Sequence, residues 1–209
     1  MFDRKCKIIF ICHGATIYTN QNRLYDIDDY PPINEEGKGE IEKIANWLKF
    51  SNPNIDMIYT SSSLRSIQSA RIIAKNLRKD FDILDDFYER RIGVWGGLNL
   101  KQIEEKYPEM LEQYRKKTCD FCPEGGESTD NLNKRVKNII NLIIKKNIQK
   151  RIIIITHPGI IRSAISLTIG VPNEYQERIY IPTGSATQIN YYSEWSSLVY
   201  SAYVSLNGA

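Results

Sequence analysis

Two runs of mostly β-branched residues, Lys7-Ile8-Ile9-Phe10-Ile11 and Arg151-Ile152-Ile153-Ile154-Ile155, constrain this chain more than any other feature. Neither alternates apolar with polar residues, so neither suits a sheet with one face in water. Both call for burial on two faces, as in the parallel sheet of an α/β protein. Each leads into a histidine followed closely by glycine, as Cys12-His13-Gly14 and Thr156-His157-Pro158-Gly159. These are the only two histidines in the chain. A lone histidine in a turn is ordinarily structural. Two in equivalent places after buried strands point to one shared site, because ligands of open α/β sheets bind beyond the carboxyl ends of the strands.

Helical patterning predicts helices over Asn34 to Phe50, Leu64 to Arg78, Leu100 to Lys117, Ser128 to Lys146 and Ile160 to Ile169, the last closed by Gly170. A third strand is predicted at Ile55 to Tyr59, just before Thr60-Ser61-Ser62-Ser63, whose hydroxyls can cap the next helix. Ala186 to Tyr192 and Ser197 to Val204, parted by Ser193-Glu194, predict an antiparallel pair at a sheet edge. Strands alternating with helices predict a three-layer α/β/α sandwich with a mainly parallel central sheet. No repeat and no Pro/Gly/Ser linker interrupts the sequence, so one domain spanning residues 1–209 is expected.

Composition narrows the function classes. A mean hydropathy of -0.41 and the lack of any apolar run near ~18 residues predict no transmembrane helix. The apolar stretch before His13 is short and lacks a small-residue cleavage site, so it reads as a strand and not a leader. With 28 basic and 25 acidic residues, net charge +3, the balance favours neither nucleic acid nor membrane as a partner. Cys6, Cys12, Cys119 and Cys122 read as reduced thiols in a chain large enough to hold its own core, and a cytoplasmic setting follows. The lone Cys119-Asp120-Phe121-Cys122 has no second ligand pair, so zinc is not expected. Cys12 reads as a small buried hydrophobe. A Cys-x5-Arg nucleophile loop is excluded because Tyr18 stands where its arginine would be. The C-terminal aromatics Tyr191, Tyr192, Trp195, Tyr200 and Tyr203 read as strand packing or a homodimer edge.

Two further residues suit an anion site. Arg65 falls in the first turn of its predicted helix, where the dipole favours anions, and its guanidinium fork matches a phosphate. Glu89 opens the glycine-rich, aromatic segment Glu89-Arg90-Arg91-Ile92-Gly93-Val94-Trp95-Gly96-Gly97, a kind of loop that carries functional groups.

Taken in order, Ile11 to Thr16, Asn22-Arg23-Leu24, Pro32 to Gly37, Thr60 to Arg65 with Ser69-Ala70, Glu89 to Gly97, Pro123-Glu124-Gly125-Gly126-Glu127-Ser128 and Thr156 to Arg162 resemble the motif set of the histidine phosphatase superfamily, which includes the cofactor-dependent phosphoglycerate mutases. The resemblance spans about the first 170 residues and implies a phosphoglycerate mutase-like fold. It implies His13 as the nucleophile that takes a phosphoryl group, with Arg65 and His157 holding its oxygens. Glu89 would be the proton donor to the leaving oxygen and then the base for water. Gly14, Thr16 and Arg23 would complete the phosphate-binding set, and no metal or other cofactor is implied. Glu127 is expected to organise the site or cap its helix. The partner implied is a small phosphorylated substrate, and the reaction phosphomonoester hydrolysis. Mutase-type transfer, or non-catalytic binding of a phosphorylated ligand or partner, is the alternative.

Four positions depart from the family pattern. Cys12 stands where the resemblance implies arginine, removing a phosphate donor, with Arg23, Lys5, Arg90 and Arg91 as candidate replacements. Pro158 stands where glycine is usual and lacks an N–H. Ala15 and Thr19 replace a polar residue and an asparagine.

Overall fold

Both isoleucine-rich runs become neighbouring strands at the centre of a six-stranded sheet. The computed structural model describes residues 4–26, 30–51, 54–116 and 121–205. The first half contains β1 (Arg4–Cys12), a single turn α1 (Ile17–Asn20), α2 (Glu35–Ser51), β2 (Met57–Thr60), α3 (Leu64–Leu77) and β3 (Asp82–Ile83). The second half contains α4 (Leu100–Lys106), α5 (Pro108–Arg115), α6 (Thr129–Lys146), β4 (Arg151–Thr156), α7 (Pro158–Ile169), β5 (Ala186–Tyr192) and β6 (Ser196–Tyr203).

The strand order is β3-β2-β4-β1-β5-β6. The first four are parallel, and β5 and β6 add an antiparallel edge. In β4, Ile152 and Ile154 face α6 and α7, while Ile153 and Ile155 face α2 and α3. β1 alternates likewise, with Cys6, Ile8, Phe10 and Cys12 on one face and Ile9 and Ile11 on the other. Each strand feeds two apolar layers, which is why its sequence shows no polar alternation.

The predicted helix from Leu100 to Lys117 is corrected to two helices among the described residues. Tyr107 adopts φ -134°, ψ 51°, and Pro108 starts α5. Proline lacks the N–H an interior turn needs and pushes its predecessor out of the α region. The last predicted helix starts earlier than expected, with Pro158 in its first turn, where a missing N–H costs nothing. Gly170 closes it in the left-handed region at φ 72°. The expected third strand shifts to Met57–Thr60, and Ser63 caps α3 by accepting from the Ser66 N–H. A satellite apolar cluster of Trp95, Ile103 and Leu111 forms around α4 and α5. Among the described residues no helix is long and apolar enough to cross a membrane.

Candidate active site

His13 leaves the carboxyl end of β1 with its backbone fixed on both sides. Its N–H donates to Thr156 O (3.1 Å), and its carbonyl accepts from Gly184 N (3.0 Å). The next peptide is equally restrained: Gly14 N donates to Ser69 Oγ (3.0 Å) and Ala15 N to Glu40 Oε2 (2.9 Å). Gly14 lies so close to Gly37 in α2 that a Cβ on it would meet Gly37 O at 2.5 Å, so the loop needs glycine here. The ring is wholly buried, with Nδ1 2.9 Å from Gly14 O. A carbonyl can only accept, so Nδ1 carries the proton and Nε2 keeps its lone pair. Nε2 has no hydrogen-bond partner. Burial, reinforced by the Arg65 charge, lowers the His13 pKa to about 3.

His157 follows β4, and its ring centroid lies 5.3 Å from that of His13. Arg65 NH2 is 3.2 Å from His157 Nδ1. Guanidinium can only donate, so the other ring nitrogen, Nε2, holds the proton and donates to Ser61 Oγ (2.9 Å). Burial first, and then Arg65, push His157 well below the ordinary histidine range. Arg65 is itself 1% exposed. Three strand ends, those of β1, β2 and β4, thus bring His13, Ser61 with Arg65, and His157 together.

Glu89 arrives from the segment after β3. Its Oε1 accepts from Arg90 N (2.7 Å) and its Oε2 from Gly159 N (3.3 Å) at the start of α7. Burial raises its pKa, opposed in part by these N–H groups. The neighbouring loop is fastened by Arg135, whose Nε and NH2 bind the two Glu127 oxygens at 2.9 and 2.7 Å while NH1 donates to Asp86 O and Tyr88 O. Glu127 therefore organises the loop, and Ser128 is the residue that caps α6.

A cavity of about 290 Å³ opens beside Glu89. Arg23, Tyr25, Arg90, Arg162 and Glu177 form its polar side, and Trp95, Tyr114 and Phe121 part of its apolar wall. Glu177 bridges Arg90 (3.2 Å) and Arg162 (2.8 Å). Tyr25 lines this cavity and also packs against the site, its ring centroid 5.3 Å from that of His13 and 4.3 Å from Arg65 Cζ.

The remaining expected phosphate ligands are engaged elsewhere in this geometry. The Gly14 N–H is taken by Ser69, and the Thr16 hydroxyl accepts from Tyr18 N and bonds the Tyr25 hydroxyl. Arg23 lies over the Tyr18 ring and donates through Nε to Gly97 O, on the cavity rim. Lys5 is excluded as a replacement cation: it is the second residue of β1, and eight residues at about 3.3 Å each separate it from His13 by roughly 26 Å. Arg91 stacks on Tyr88 and Arg90 is paired with Glu177. Of the expected CxxC, Cys119 lies outside the described residues. Sequence reasoning missed Tyr25, Glu40, Arg135 and Glu177, which reach the site only through long-range packing and carry no local signal.

Histidines and an arginine converging beyond the carboxyl ends of a mostly parallel sheet define a class, an α/β protein with a buried polar cluster at the head of its central strands. The chain matches the histidine phosphatase superfamily (branch 1) over residues 8–202 and belongs to it. Phosphoserine phosphatase 1 of Hydrogenobacter thermophilus is 26% identical over 167 residues, covering 79% of this chain and 77% of that protein. A 2,3-bisphosphoglycerate-dependent phosphoglycerate mutase of Parvibaculum lavamentivorans is 26% identical over 186 residues, covering 85% of this chain and 87% of its own. The solved structure of YhfR from Bacillus stearothermophilus shares the fold, with a TM-score of 0.86 at 18% identity over 94% of this chain and 96% of that one.

Proposed function

We propose that this chain hydrolyses small phosphomonoesters without a metal, through a phosphohistidine at His13. The observation that carries the reading is the state of His13: Nδ1 is tied to Gly14 O, so Nε2 is an unprotonated nucleophile at neutral pH. In the first step Nε2 bonds to phosphorus as the ester P–O bond breaks, and Glu89 gives its proton to the leaving oxygen. In the second, Glu89 takes a proton from water, the water oxygen bonds to phosphorus, and inorganic phosphate leaves Nε2. Arg65 and His157 meet the charge on the phosphoryl oxygens. A bound phosphate dianion favours protonated His157, whose Nδ1 can then donate to it.

Cys12 shapes how fast this runs. Its thiol is wholly buried and its pKa is raised by burial, so it offers no charge to a phosphate. If it stands in the place of a family arginine, turnover is slow, since one missing oxyanion donor costs roughly 10²–10³ in rate. Cys12→Arg is then expected to raise turnover of an aryl phosphate about tenfold or more in a folded variant.

Trapping tests the reading directly: acid-quenched reaction with a labelled phosphomonoester should leave label on His13, and His13→Ala should take none. Hydrolysis is supported by the phosphoserine phosphatase relative, and transfer to a second alcohol by the mutase relative. The neutral Cys12 and the missing N–H of Pro158 favour a second reading, a non-catalytic phosphate-ligand binder. Absence of label with retained phosphate binding would establish that one.

A further inference from the structure

The groups that would meet a phosphate are shut away from the cavity that would admit it. His13 and His157 are 0% exposed and Arg65 is 1% exposed, yet Glu89 borders the open cavity beside them. Tyr25 lines that cavity and touches the buried groups as well. Its ring packs edge-on against His13 and lies under the Arg65 guanidinium, both at contact distance for aromatic groups. Arg65 is stacked on that ring and bonded to His157, while His13 Nε2 is buried without a hydrogen-bond partner. Attack needs a phosphorus within about 3–3.5 Å of His13 Nε2, an atom now buried, so a group packed around the imidazole has to move first, and Tyr25 is packed against it.

We propose that Tyr25 controls access to the phosphate site, closing it at rest and swinging out to admit phosphate. This rests on the reading of His13 as the phosphate-facing histidine. The hydroxyl is the latch: it bonds Thr16 Oγ1 (2.7 Å) and Thr19 Oγ1 (2.9 Å) in the first turn after the nucleophile loop. The chain is held on each side of it: Arg23 N is bonded to Tyr18 O, Leu24 N to Leu98 O and Gly97 N to Leu24 O, each at 2.9 Å, and Asp26 Oδ2 accepts from Ile92 N (2.9 Å) and Gly93 N (2.6 Å). Opening is therefore a side-chain rotation, and it breaks two hydroxyl contacts and a cation–π contact. Apparent phosphate affinity is the intrinsic affinity reduced by the fraction of molecules that are open.

Diethylpyrocarbonate reads this gate without catalysis. It modifies unprotonated imidazole, and the chain has only two histidines, both 0% exposed, with His13 against Tyr25 and His157 against His13. Both are neutral near pH 7, and the His13 Nε2 lone pair is unengaged while that of His157 Nδ1 is held by Arg65, so access limits the rate at His13. Wild-type protein is expected to react at least about tenfold slower than free histidine, and Tyr25→Ala about tenfold faster than wild type. Tyr25→Phe keeps the ring and loses the latch, so it should react faster than wild type by about threefold or more. It decides the matter if the alanine variant does not fold. Orthovanadate, used as the phosphate probe, should bind Tyr25→Ala about tenfold more tightly than wild type. Wild-type histidines that react like free histidine, variants that leave the rate unchanged, or weaker vanadate binding without the ring would each overturn the gate. Faster modification and tighter vanadate binding in a variant that hydrolyses no ester would leave the gate standing and remove the hydrolase reading.

Discussion

Gly159 and Glu89 face each other so closely that a Cβ on the glycine would lie 2.3 Å from Glu89 Oε1. Gly159→Ala should therefore displace the carboxyl and slow hydrolysis of alkyl phosphates by about 10²-fold, the usual cost of a misplaced catalytic group. Its thermal midpoint should change little, because the crowding falls on a side-chain tip. Glu89→Gln should slow esters of poor alkyl leaving groups far more than aryl esters, because only the former need a proton as they leave; equal slowing in a leaving-group series would assign Glu89 to positioning. Burial raises the Glu89 pKa, so its proton is held to higher pH than an exposed carboxyl would hold it. Activity against alkyl esters should fall as pH rises through that pKa, and the falling limb should vanish in Glu89→Gln. His13 works in the opposite sense. Its folded pKa of about 3 lies below the ordinary 6.5, so the unfolded chain binds the proton more readily and stability is lost as pH falls from about 6.5 towards 3. His13→Asn should make the fall in thermal midpoint between pH 6.5 and 4 shallower by about 3 °C or more, the shift that ~1 kcal/mol makes in a chain of this size.

At the scale of elements, the His13 loop is positioned by α3 as much as by its own strand. Ser69 on α3 accepts from Gly14 N and donates to Arg65 O (2.8 Å), linking the neighbour of His13 to the backbone of Arg65. Ser69→Ala strands a buried N–H, and chemical denaturation should register a loss of about 1–3 kcal/mol. The central strands were legible because an apolar run without alternation has few places to go in a folded chain. The edge pair was legible for a similar reason, with strand-forming residues on both sides of Ser193-Glu194. Pro108 was visible in the sequence, yet the helical pattern on either side hid the break between α4 and α5. Tyr25 was not legible at all. It sits in a connection, and the partners that define it lie in α1, after β1 and on α3, so only the folded chain reveals what it covers. Glu127 was half legible: its turn marked it as organising, but its partner Arg135 is found only once α6 is set against the Glu89 loop.

Over the whole molecule, β1 and β4 are shared by two apolar layers, so damage to either strand loosens both. Ile154→Ala should lower stability by about 2–5 kcal/mol, the usual cost of a large-to-small change in a well-packed core, read as a shifted denaturant midpoint with unchanged slope. Cys6 and Cys12 lie near opposite ends of β1 and are 0% exposed. Burial drives the Cys6 pKa up to about 12 and raises that of Cys12 as well, so neither carries appreciable thiolate near neutral pH. Alkylating reagents attack thiolate and need access, and both conditions arrive only when the middle strand of the sheet comes away from its neighbours. The two sulfurs are thus an internal clock for global unfolding. Under native conditions their alkylation rate should follow the opening of the whole sheet, while the partly exposed Cys122 is modified without waiting for it.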